Sequence, residues 1–62
     1  MPPIQKILYD SLRAFGYCYL STDRDGTINM DTRPPSHRIA LYPSGELYEV
    51  RRDGRYHSLR AR

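Results

Sequence analysis

The chain has 62 residues, a formal net charge of +3 and one cysteine. That length holds one domain, residues 1–62, and buries only about 60% of its unfolded surface. A lone cysteine excludes an internal disulfide, and Cys18, His37 and His57 have no zinc-motif spacing, so no metal or cofactor is expected.

The N-terminus MPPIQKILYD has neither a basic leader nor an unbroken apolar run, and no stretch approaches a membrane span. The expectation is a cytoplasmic protein with no membrane contact. Nine of the ten basic residues are arginine, which suits acidic protein surfaces or nucleic acid.

Pro2 and Pro3 mark a helix start, because the first helical amides need no partner. Ile4, Ile7, Leu8, Leu12 and Phe15 recur at helical spacing and share a face with Ser11. Gln5, Lys6, Tyr9 and Arg13 fall on the other side. Lys6 and Asp10 can pair across one turn. Gly16 stops the helix.

The rest reads as short strands. Tyr17–Thr22 and Thr27–Asp31 flank an Arg24-Asp25-Gly26 loop, a type I turn closed by glycine in a G1 bulge. That register sets Thr22 opposite Ile28 and Leu20 opposite Met30, with Cys18 on the same apolar face. Arg33-Pro34-Pro35-Ser36 is a linker, since two prolines do not fit a central strand. His37–Tyr42, Glu46–Arg51 and Arg55–Arg60 follow. A four-residue Pro43–Glu46 loop would pair Leu41 with Tyr48 and Ile39 with Val50. At Asp53-Gly54 a two-residue loop aligns Tyr48 with Leu59, and is preferred over a three-residue loop that sets Val50 opposite Tyr56. The expected fold is α+β, an N-terminal helix packed on an antiparallel sheet of four or five strands, a hairpin plus a meander.

Asp23-Arg24-Asp25-Gly26-Thr27-Ile28 resembles the nucleophile motif of haloacid-dehalogenase-type phosphatases. The resemblance implies Asp23 as nucleophile and Asp25 as general acid/base. That family also needs a phosphate-binding lysine and a distal acidic pair, yet the only lysine, Lys6, precedes the motif. The same stretch resembles the middle of an EF-hand loop. Ser21 and Thr32 stand where the first and last acidic ligands belong, and Pro34-Pro35 block the exiting helix. A plain hairpin turn needs none of these missing parts. Ser36-His37 before an apolar strand resembles the Gly-Ser-His of HicA-type RNA-cleaving toxins, with Pro35 replacing the glycine. That resemblance implies His37 as a catalytic base.

The leading expectation is a small non-enzymatic interaction module of accessory, inhibitory or regulatory type. It would bind a protein partner, or a second copy as a homodimer, through a Tyr/Arg sheet face or an open sheet edge. The partner-binding residues would be Tyr17, Tyr19, Arg38, Tyr42, Arg51, Arg52 and Arg55. Nucleic-acid binding through the Arg-rich hairpin is the second reading. An RNA-cleaving toxin is the third.

Overall fold

A computed structural model describes residues 1–59. One helix, α1 (Pro3–Phe15), packs on a five-stranded antiparallel sheet, an α+β fold. The strands are β1 (Cys18–Thr22), β2 (Ile28–Asp31), β3 (Ile39–Leu41), β4 (Leu47–Val50) and β5 (Tyr56–Ser58). They lie side by side in chain order, so the sheet is a single meander. Arg60, in the expected last strand, lies outside the described residues.

The helix ends are as expected. Pro2 starts it, and its carbonyl accepts from the Lys6 amide at 3.0 Å. Gly16 takes the left-handed conformation, and the Gly16 and Tyr17 amides return to the Arg13 and Leu12 carbonyls at 3.1 and 3.0 Å. That double return is a Schellman motif.

The roll of the helix differs from the expected one. Gln5 is 1% exposed, and Leu8, Tyr9 and Leu12 pack with it against the sheet. Ile4, Ile7 and Phe15 are 48%, 61% and 84% exposed. The buried face is therefore turned about a quarter turn from the Ile4–Ile7–Phe15 stripe. The cause is polar. Gln5 Nε2 donates to the Gly26 carbonyl at 2.8 Å and the Leu41 carbonyl at 3.0 Å. The bond to Leu41 is buried and the one to Gly26 partly buried, and a buried carbonyl left unmet is costly.

All three hairpins use one device. The loops are Arg24-Asp25-Gly26, Pro43-Ser44-Gly45 and Arg52-Asp53-Gly54, and their glycines sit at φ 91°, 91° and 85°. In each, the residue before the loop bonds through its amide to the residue after it: Asp23 to Thr27, Tyr42 to Glu46, Arg51 to Arg55, at 2.8–2.9 Å. In each, the middle side chain accepts from the amide two residues on: Asp25 from Thr27, Ser44 from Glu46, Asp53 from Arg55. This side-chain turn locks the loop at three residues.

The first loop matches its expectation, but three registers depart from theirs. Leu41 pairs with Leu47 and Ile39 with Glu49, rather than with Tyr48 and Val50. Val50 pairs with Tyr56, and the Leu59 amide bonds the Leu47 carbonyl. In β1 a bulge between Tyr19 and Ser21 leaves Leu20 unpaired, so Tyr19 stands opposite Met30. Cys18 pairs with Asp31 on the side away from Met30, and so is not on the apolar face as expected.

Ile28, Met30, Ile39 and Leu41 form the buried centre, with Leu8, Tyr9, Leu12, Tyr17 and Leu47 packed around it. The connection from β2 to β3 is gathered by one carboxylate. Asp31 Oδ1 accepts from the backbone amides of Thr32, Ser36 and His37 at 2.7, 3.1 and 3.1 Å.

Candidate tyrosine and arginine face

Strand alternation puts Tyr42, Ala40 and Arg38 on the sheet face away from α1. Tyr48 pairs with Ala40 there, and Val50 and Tyr56 pair on the same face one step along. The result is a tyrosine ladder. Tyr42 and Tyr48 meet edge to face with ring centres 5.2 Å apart, and Tyr48 and Tyr56 with centres 6.4 Å apart. Interplanar angles of 63° and 65° leave the rings tilted against one another. Such pairs contribute beyond their area, roughly 0.5–1.5 kcal/mol each.

The two ends of the ladder carry opposite charge. Near Tyr42 stand Asp23 and Asp25. Burial first, then the neighbouring Tyr56 and Tyr48 and these two acids, hold the Tyr42 phenol above its ordinary pKa. The Tyr48 hydroxyl donates to Glu46 at 3.4 Å. At the other end a hollow of about 430 Å³ is lined by Arg38, Arg51, Arg52, Val50, Ser36 and one acid, Asp31, among others. Arg51 leans on Glu49 at 3.5 Å. Among the described residues Arg38 and Arg52 have no acidic partner within ion-pair distance.

The expected partner-binding residues divide. Tyr42 and Arg38 lie on the ladder face, and Arg51 and Arg52 border its basic end. Arg55 is exposed on the last hairpin and pairs with Asp53 at 3.6 Å. Tyr17 packs against the core on the helix side. Tyr19 is on the edge strand, paired with Met30, its hydroxyl 2.9 Å from Thr22 Oγ1. Sequence reasoning missed Tyr48 and Tyr56. The signal was present in the shared spacing of Asp25-Gly26, Ser44-Gly45 and Asp53-Gly54, which sets equal loops and so puts these tyrosines on one side.

The carboxylates of the phosphatase-like stretch are engaged in the hairpin. Asp25 Oδ1 accepts from the Thr27 amide at 3.0 Å, the chief cause of its lowered pKa. Asp23 Oδ1 accepts from Asn29 Nδ2 at 3.1 Å. Among the described residues no cluster of three His, Cys, Asp or Glu side chains could hold a metal. His37 is exposed, its Nδ1 2.8 Å from Ser36 Oγ, which in turn lies 2.8 Å from Thr32 Oγ1. No described helix is long and apolar enough to cross a membrane. No protein-family model matches the chain, and neither curated proteins nor solved structures yield a match.

Proposed function

We propose that this protein is a non-enzymatic interaction module that binds a protein partner through the sheet face away from α1. The observation carrying this reading is the Tyr42–Tyr48–Tyr56 ladder, with acids at one end and Arg38 and Arg52 at the other. Tyrosine presents a large, rigid, amphipathic surface at low entropic cost, and tyrosine and arginine are enriched where binding energy concentrates. Opposite charges at the two ends set the direction in which a partner docks. A polyanion gains from the arginines but meets Asp23 and Asp25 at the far end, and the tilted rings offer it no flat stacking platform. The test is a pull-down from cell extract with and without nuclease. Capture of a protein that survives nuclease and is lost with Tyr48→Ala supports the reading. Capture unaffected by both Tyr48→Ala and Arg38→Ala overturns it.

Nucleic-acid binding is the second reading, favoured by the arginine-lined hollow alone. It requires an affinity for RNA or DNA that falls steeply with salt and with Arg52→Ala. Absence of binding at low salt removes it.

A further inference from the structure

The hollow at the basic end of the ladder is a charged recess. Arg38, Arg51 and Arg52 line it against one acid, Asp31, which leaves a net charge of +2. That acid is already engaged, since its Oδ1 accepts from the Thr32, Ser36 and His37 amides. Arg51 is shared with Glu49 at 3.5 Å, whereas Arg38 and Arg52 have no acidic partner within ion-pair distance among the described residues. Backbone bonds fix the frame that carries these side chains. The Val50 amide donates to the Arg38 carbonyl and the Arg51 amide to the Arg55 carbonyl, each at 2.8 Å. The Asp53 turn then sets Arg52 at the rim.

We infer that this hollow seats a phosphorylated side chain of the protein partner, an inference that rests on the reading of the ladder face as a protein-binding surface. A carboxylate is matched by one guanidinium, whose two parallel N–H···O bonds use both of its oxygens. A phosphate monoester brings a charge of about −2 at neutral pH and three strong acceptor oxygens. It suits two guanidinium groups at once, and its charge balances that of the lining. The far end of the face supplies the other half of the match. Arg38 and Tyr42 flank β3, about 13 Å apart in extended chain, and Asp23 and Asp25 stand near Tyr42. The segment that fits is extended, with a phosphorylated residue over the hollow and a cationic one about four residues along, near the acids. A nucleic-acid strand does not offer this pattern, because every unit of it is anionic.

Amide chemical-shift titration of the full chain tests this. The probes are pentapeptides with phosphoserine at one end, lysine at the other and alanines between, made in both orders. The controls are the same peptides with unmodified serine, inorganic phosphate, and a short oligouridylate. Shifts are expected to centre on Arg38, Val50 and Gly54. One phosphopeptide is expected to bind about tenfold tighter than both its serine form and inorganic phosphate. Arg38→Ala and Arg52→Ala, both at exposed positions, are each expected to weaken it at an unchanged circular dichroism spectrum. Equal affinity for the serine and phosphoserine peptides overturns the inference, as does binding unchanged in the double arginine variant. Inorganic phosphate binding as tightly as either peptide overturns the side-chain occupant in favour of the free ion, and tighter binding of the oligouridylate overturns it in favour of nucleic acid. A pull-down indifferent to Tyr48→Ala, beside phosphopeptide binding that still needs Arg38 and Arg52, removes the ladder reading alone. Tyr48-dependent capture, beside peptides that do not distinguish phosphoserine from serine, removes this inference alone.

Discussion

Gln5 and Leu41 are 36 residues apart, and the Gln5 side-chain amide donates to the Leu41 carbonyl at 3.0 Å with both groups buried. The same nitrogen bonds the Gly26 carbonyl at 2.8 Å. One side chain on α1 thereby ties the helix to two of the turns and strands that make the sheet. A residue type normally found outside occupies the best-covered position of the helix because it satisfies two carbonyls there.

Replacement of Gln5 therefore weakens the fold more than replacement of the isoleucine beside it. Gln5→Ala is expected to cost about 2–4 kcal/mol, from a vacated site and two orphaned carbonyls. Ile7→Ser, at an exposed position, is expected to cost about 0.5 kcal/mol or a little more. Urea denaturation in dilute solution compares them. Equal losses contradict the observed roll.

Gly45 and Gly54 share a backbone conformation but not an environment. A Cβ on Gly45 would stand 2.8 Å from Ile4 Cγ1, whereas one on Gly54 meets nothing within 4 Å. Gly54→Ala carries the backbone strain alone, roughly 1–2 kcal/mol. Gly45→Ala adds a clash against the first turn of α1 and is expected to lower the melting temperature further. The two melting curves settle the order.

Asp31 makes stability fall in acid. Burial raises its pKa, but the amides of Ser36, Thr32 and His37, with the Thr32 hydroxyl, together outweigh burial and hold it below the ordinary value. A folded-state pKa below the unfolded one stabilises the protein above the unfolded value, about 4. That stabilisation is lost as pH drops through the folded value. Urea midpoints from neutral pH to pH ~3 are expected to decline, with a shallower decline in Asp31→Asn. Parallel profiles for the two proteins contradict the role given to this carboxylate.

Tyr42 is expected to ionise later than an ordinary tyrosine, because burial and its neighbours disfavour the phenolate. An ultraviolet titration should show a late component that disappears in Tyr42→Phe. Its survival in that variant assigns the late phenol elsewhere.

Much of this fold was legible residue by residue. Pro2, Pro3 and Gly16 announced the helix ends, and Asp25-Gly26 announced its turn down to the loop length. Two things were not legible. The helix roll was misread because Ile4, Ile7 and Phe15 outweigh Gln5 and Tyr9 on any apolar count. That count takes no account of two carbonyls needing a donor 21 and 36 residues away. The later registers were misread by matching apolar with apolar residues across the strands. The side-chain turn at Ser44 and Asp53 governs instead, and moves Tyr48 from the core face to the ladder. The candidate site was half visible: Arg38 and Tyr42 came from composition, while Tyr48 and Tyr56 required the correct loop lengths.

The three alike turns also bear on how the chain reaches its native state. Each strand is paired with its immediate predecessor, and three of the four pairings close over a three-residue loop. Little loop-closure entropy separates such neighbours, so the meander can zip from any turn. The docking of α1 through Gln5 spans far more chain than any hairpin. The sheet is therefore expected to assemble early and fast, with helix docking as the late step: Gln5→Ala should speed unfolding while leaving the folding rate nearly unchanged.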